Sequence, residues 1–221
     1  MAFAVTGAWA TQVSQTKKFS GVPDFEKTLT FGKVNLCPDC TVNWIKVILA
    51  LNVNGGQYIL DNDADSPASG SFNFGGKVQI IGSDVAMIDA VFNPVVGIVQ
   101  AGHSGSFNLQ ANVGDGPGDY SPDPPDGMVY NGGVESDSKE GLINSEVFGQ
   151  YLGVGTFDVK IQSTQWSTYS GASGIEYAVN PVSADGSLTF IMDYDCIPEP
   201  SSIMALFAGI GALGLIRRRK A

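Results

Sequence analysis

Ser106-Phe107-Asn108-Leu109-Gln110-Ala111-Asn112-Val113 alternates polar and apolar residues without exception. A period of two puts Phe107, Leu109, Ala111 and Val113 on one face of an extended chain and the polar partners on the other, which is the signature of a half-buried strand. The same alternation sets Phe157, Val159 and Ile161 against Asp158, Lys160 and Gln162, and Leu188, Phe190, Met192, Tyr194 and Cys196 against Ser187, Thr189, Asp193 and Asp195. One dry and one wet face per strand predicts antiparallel sheets packed in two layers. Residues 42–53 are more apolar, with Ile45, Val47, Leu49, Leu51 and Val53 on one side and Trp44, Ile48 and Ala50 on the other, so a central strand is expected there. Shorter strands are expected at Leu29/Phe31, Phe72/Phe74 and Val78/Ile80, separated by turn signals at Asn54-Gly55-Gly56, Gly75-Gly76, Asn131-Gly132-Gly133 and Asp185-Gly186.

Composition agrees. The 221 residues suit one sandwich-sized domain with appendages, and 28 Gly with 11 Pro argue for short strands and turns rather than helices. The chain has 22 acidic and 12 basic residues, four of the latter being Arg217, Arg218, Arg219 and Lys220, so everything before that cluster carries net charge −14. Such a body repels phosphate backbones and excludes nucleic acid as a partner. With a single histidine, any Ser-His-Asp or Cys-His mechanism has to run through His103. From Gly114 to Asp126 there is no apolar pair to bury, and polar character continues to about Glu140, which predicts a long surface loop. No internal repeat and no dividing linker is visible.

The C-terminus carries the clearest signal. Ile203, Leu206, Phe207, Ile210, Leu213, Leu215 and Ile216 punctuate an uncharged stretch, 203–216, preceded by Pro198-Glu199-Pro200-Ser201-Ser202 and followed by the basic cluster. As a helix, this stretch spans about 21 Å, short of a hydrocarbon layer of about 30 Å, and snorkelling arginines with Ser201 and Ser202 close most of the gap. Its seven strong residues contribute only about −2 to −4 kcal/mol of insertion energy, so a temporary transmembrane anchor is expected. Cations beside a span stay cytoplasmic, which places the acidic body across the membrane. Export requires a leader, and Ala8-Trp9-Ala10 reads as a small-x-small cleavage pattern closing a signal-peptide remnant over residues 1–10, an ordinary first strand being the alternative.

Pro198-Glu199-Pro200, a span of small and apolar residues and a terminal Arg-Arg-Arg-Lys resemble the PEP-CTERM sorting signal of Gram-negative bacteria, with Ile197 where Val is commoner. The resemblance implies recognition by an exosortase, a membrane-embedded cysteine protease-transpeptidase, which cuts near the proline motif and releases the body to the cell surface or extracellular matrix. The prolines make physical sense there, since they hold the segment extended and unpaired for a protease to grip. The expected organisation is therefore a β-sandwich ectodomain over 11–195, a processing motif over 196–202, a membrane helix over 203–216 and a basic cytoplasmic tail over 217–221.

A second resemblance covers the body. The Phe148-Gly-Gln-Tyr-Leu-Gly153-Val-Gly155-Thr-Phe157 segment, the closing 188–194 strand running into the anchor, Leu29-Thr30-Phe31 and the 42–53 strand are similar to the choice-of-anchor E β-domain. Cys37-Pro38-Asp39-Cys40 stands where that family has an aromatic-Asp-Pro segment. The family implies an exported surface domain without assigned chemistry. The whole reads as all-β, a jelly-roll-like antiparallel two-sheet sandwich with one C-terminal transmembrane helix.

Several side-chain groups are candidate sites. Cys37, Cys40, Cys196 and His103 have the stoichiometry of a Cys3His zinc site without a second paired motif; a disulfide, either Cys37–Cys40 or one of these with Cys196, is the reading preferred for an oxidising compartment, free thiols being the other alternative. Asp61, Asp63 and Asp65 alternate as in the first half of a calcium loop, but Ser66 and Phe72 stand where an EF-hand needs Gly and Glu. They are calcium candidates, a solvated hairpin turn being the alternative, and no other cofactor is expected. Gly102-His103-Ser104-Gly105 misses the nucleophile-elbow spacing and is read as a strand-connecting turn. Gly153 and Gly155 lack the third glycine of a phosphate loop and are read as structural, on a strand. Trp44, Trp166, Tyr169 and Tyr177 are read as exposed aromatics that could stack on sugars, finishing a core edge being the alternative. Two function classes result: a non-enzymatic surface or matrix protein acting in exopolysaccharide or biofilm, and a carbohydrate-active enzyme such as a glycoside hydrolase, using two carboxylates roughly 5–9.5 Å apart.

Overall fold

A computed structural model describes residues 9–114 and 122–196. Its strands are β1 (Trp9–Gly21), β2 (Phe25–Gly32), β3 (Cys40–Asn54), β4 (Gln57–Asn62), β5 (Ala68–Ser83), β6 (Val99–Leu109), β7 (Gly127–Asn131), β8 (Val134–Leu142), β9 (Thr156–Gly171), β10 (Ile175–Asn180) and β11 (Ser183–Cys196), with one 3-10 helix at Ser145–Tyr151. All strand pairs are antiparallel, in sheets ordered β1-β11-β3-β8, β2-β9-β5-β6 and β10-β4-β7. The alternation expected in β3 and β9 is realised, and in β11 it holds as far as Met192. In β3, Ile45, Val47, Leu49, Leu51 and Val53 are all buried, and the strand lies between β11 and β8 as a central strand should.

Three sheets replace the two expected, and the reason lies in the register. Asn54 pairs with Ser183 and Gln57 with Asn180, while on the other side Asn54 pairs with Val134 and Gln57 with Asn131. Each strand therefore advances by the same three residues across the break, and none is inserted. The small sheet is the distal half of the first one, creased along Gly55-Gly56, Gly132-Gly133 and Pro181-Val182. Backbone bonds from Gly55 N to Gly133 O (2.8 Å) and Gly132 N to Gly56 O (2.9 Å) cross the crease. Gly55 and Gly56 take φ of +70° and +77°, the left-handed region that other residues enter at a cost of about 1–2 kcal/mol each. Two of the expected turns are thus bends within continuing strands. Joined across the crease, the strands number eight, in the orders first-eighth-third-sixth and second-seventh-fourth-fifth.

The other two glycine signals are also not turns. Gly75 and Gly102 face each other inside β5 and β6, and a Cβ on either would run into the opposite backbone. They allow two strands to approach closely, so Phe72, Phe74, Val78 and Ile80 belong to the single strand β5, and the residues 102–105 lie within β6 rather than in a connection. Gly186 sits in β11, where a side chain would run into the Ala50 carbonyl oxygen and the Phe19 ring.

The alternation that begins at Ser106 stops serving a sheet at Leu109. Gln110 N bonds Pro125 O and Val113 N bonds the Asp126 carboxylate (2.7 Å), so the polar segment captures the donors and Val113 is left exposed. The polar stretch that continues from Asp126 to about Glu140, expected as part of a loop, forms β7 and most of β8. The second is a sheet edge whose exposed Glu135, Lys139 and Glu140 suit an unpaired rim.

The layers meet through Phe31, Phe157, Phe190 and Tyr151. Phe31 packs edge-on to Phe190 with centroids 4.7 Å apart, and Phe157 does so at 5.4 Å. At the creased end, Tyr58 of β4 stacks on Phe72 at 4.5 Å.

Candidate functional site

Strand polarity gathers Trp9 at the start of β1, Cys40 at the start of β3 and Cys196 at the end of β11 at one end of the sandwich. Cys196 lies directly opposite Cys40 and also opposite Trp9. Strand β1 thus includes Trp9 and Ala10, which were expected to close a signal-peptide remnant, and residues 1–8 lie outside the described residues. The short turn Cys37-Pro38-Asp39-Cys40, closed by Cys40 N to Cys37 O (3.0 Å), swings Cys37 back onto the same spot. All three sulfurs lie within 4.8 Å of one another, Cys37 and Cys196 being 3.7 Å apart, and Cys40 is in disulfide contact with both neighbours. His103 is not with them. It is buried in β6 against Phe74 (5.2 Å), close to Gly132, and its Nε2 has no hydrogen-bond partner. The Cys3His stoichiometry therefore does not correspond to a shared site.

Just inside this end, β3 carries an extra residue, Asn43, where the register shifts beside Asp193. Asp193 is buried and accepts hydrogen bonds from Asn43 Nδ2 (2.7 Å) and Gln12 Nε2 (3.1 Å), tying β1, β3 and β11 together. The alternation assigned Asp193 to a wet face, yet it is buried there, opposite Gln12 and Trp44 and bonded by the bulge residue Asn43. Pro198, Glu199, Pro200, the span 203–216 and Arg217 to Lys220 lie outside the described residues.

Asp61, Asp63 and Asp65 lie where β4 ends. Asp61 is buried, Asp63 half-buried and Asp65 exposed. The organising residue there is Asn62, fully buried, whose side chain donates to Ser66 O (3.0 Å) and Gln110 O (2.5 Å) and accepts from Ala64 N (3.2 Å). Asp126, also buried, completes the region by accepting from Val113 N. Among the described residues, the only group of three metal-ligating side chains with converging donor atoms is the cysteine cluster.

Of the four aromatics expected to be exposed, only Tyr177 is; Trp44, Trp166 and Tyr169 are half-buried. Tyr169 and Tyr177 are brought together at 5.5 Å, inside a ladder of near-parallel rings running Phe107, Tyr169, Tyr177, Tyr58, Phe72. This stacking joins the crease to the opposite layer and occupies ring faces that a sugar would need. Trp166 lies instead over Gly102, and Trp44 stands on β3 opposite Asp193.

Two depressions flank the open end of β5. One, about 310 Å³, is apolar and lined by Ile80, Val85, Met87, Phe92 and Val95. The other, about 370 Å³, brings Asp84 and Asp158 together with Thr28 and Lys160. Both acids are engaged: Asp84 accepts from Asp158 N (2.9 Å) and Asp158 from the Thr30 hydroxyl (2.6 Å). No local motif marked this pair, because the residues meet only through strand register. Gly153 and Gly155 lie in the loop before β9 at φ of +105° and +102°, structural as expected though not on a strand. Beside them, Tyr151 donates to Ala86 O (2.7 Å), and burial pushes its phenol well above the usual range.

Comparison with known proteins bears on the segment beyond Cys196. The PEP-CTERM protein-sorting motif matches residues 197–220. That motif implies an exported protein that passes through the membrane, is processed by an exosortase and ends at the cell surface or outside the cell. No curated protein matches the sequence significantly. Among solved structures, the chain is similar to infectious bursal disease virus Gx strain at 10% identity over 86% of this chain and 42% of that one, with a TM-score of 0.14. For T=1 particles derived from infectious bursal virus, the values are 11%, 85%, 41% and 0.15. The chain thus spans about two fifths of those chains, and similarity at this level carries no argument.

Proposed function

We propose that the chain is an exported cell-surface or matrix protein whose jelly-roll-like body, similar to the choice-of-anchor E domain, is delivered by sorting and serves a structural or adhesive role in exopolysaccharide or biofilm. The span 203–216 holds it briefly in the inner membrane, with Arg217 to Lys220 on the cytoplasmic side. What supports this reading is adjacency: β11 runs to Cys196 and the sorting motif begins at residue 197, so a cut near Pro198 to Pro200 would release an intact sheet. A cell carrying the exosortase, expressing the Pro198→Ala, Pro200→Ala double variant, should hold the protein in the membrane fraction at unprocessed mass. Mature-size protein outside that cell would overturn the processing role.

A carbohydrate-active enzyme is the second reading, favoured by Asp84 and Asp158 lining one depression. Release of reducing sugar from purified exopolysaccharide, lost in Asp84→Asn and Asp158→Asn, would establish it. Absence of release by the unaltered protein would leave the structural role.

A further inference from the structure

Three cysteines whose sulfurs all touch cannot all be paired, since each sulfur carries one disulfide bond at a time. Two independent pieces of backbone deliver partners to the same atom. The 37–40 turn brings Cys37, with Cα atoms 5.5 Å apart, and the β3–β11 ladder brings Cys196, with Cα atoms 4.1 Å apart. Cys40 is the shared partner, and the two outer sulfurs are 3.7 Å from each other. Cys37 is exposed, while Cys40 and Cys196 are half-buried, so the cluster is open to solvent from the turn side.

We propose that Cys37, Cys40 and Cys196 form a thiol–disulfide exchange site in which Cys40 alternates between two partners and the displaced thiol is offered to an external disulfide. In the first step, the Cys37 thiolate attacks Cys40 Sγ, the Cys40–Cys196 bond breaks and Cys196 leaves as a thiolate that takes the proton Cys37 released; no net oxidation occurs. In the second, whichever outer thiolate is free attacks an external disulfide, forming one mixed disulfide and expelling one external thiolate. Exchange decides whether the end of β11, two residues before Pro198, is cross-linked to β3 or held there by the backbone ladder alone. It also makes Cys37 and Cys196 alternative points of covalent attachment.

The test uses the exported chain, purified without reductant, and the aromatic disulfide 5,5′-dithiobis(2-nitrobenzoate). About one equivalent of thionitrobenzoate should be released per chain, with the adduct divided between Cys37 and Cys196 on peptide mapping and absent from Cys40. Cys37→Ser and Cys196→Ser should each abolish the reaction, because the two remaining cysteines pair. An adduct confined to Cys37 after prolonged equilibration, two equivalents from Cys196→Ser, or no release from the unaltered chain would each overturn the proposal.

Discussion

The carboxylate of Asp193 accepts a 2.7 Å hydrogen bond from the side chain of Asn43, the residue that β3 carries in excess of its partner β11. A buried carboxyl group needs hydrogen-bond partners, and the bulge residue supplies one. Asp193→Ala should cost about 1 kcal/mol, because the two hydrogen bonds are lost while the exposed Asn43 and Gln12 amides turn to water, and Asp193→Asn about half as much. Urea denaturation would measure both, and equal, negligible losses would contradict the clamp.

Glycine positions separate by what surrounds them. Gly75→Ala or Gly102→Ala should cost about 3 kcal/mol or prevent folding, because the Cβ meets backbone that cannot yield. Gly133→Ala has open space around it and should change stability by less than about 0.5 kcal/mol. Gly55→Ala also meets nothing, yet should lose about 1 kcal/mol through its positive φ. Thermal unfolding of the four variants should give that order.

The ring ladder predicts a gradient of sensitivity. Tyr58, fully buried between Phe72 and Tyr177, should lose about 3–5 kcal/mol on replacement by alanine. Tyr177 is half exposed and should lose about 1 kcal/mol. Similar losses from chemical denaturation of the two variants would argue against a crease held down by Tyr58.

Burial raises the Tyr151 phenol in the folded protein, whereas the unfolded chain ionises it near the ordinary value of about 10. The folded state therefore holds the proton longer, and the contribution to stability is complete below about pH 10 and falls as the pH rises beyond it. Tyr151→Phe should lose about 1 kcal/mol at neutral pH with the bond to Ala86 O, and its stability should decline less between pH 9 and 11 than that of the unaltered protein. Parallel slopes in urea titrations at the two pH values would refute this.

How much was legible follows from the range of each signal. Period-two alternation is local, so β3, β9 and β11 could be read with their buried faces correct, except at Asp193, which is buried on the face read as wet. Glycine is ambiguous by the same token: a missing side chain serves a turn, a bend or a close approach equally, and all four turn signals in the body resolved into the latter two. The polar run 134–142 looked like loop because an edge strand needs no apolar face on its rim.

By itself, the order of residues determined the all-β class, the acidic surface, the central strand and the sorting motif at residues 197–220, because each is written in neighbours or in fixed spacing along the chain. Tertiary structure alone decided that Cys40 meets both Cys37 and Cys196, that Asp84 joins Asp158, and that Asp193 is buried. Each depends on which strand lies beside which and in what register, a choice made by packing across the whole sandwich rather than by any local run of side chains.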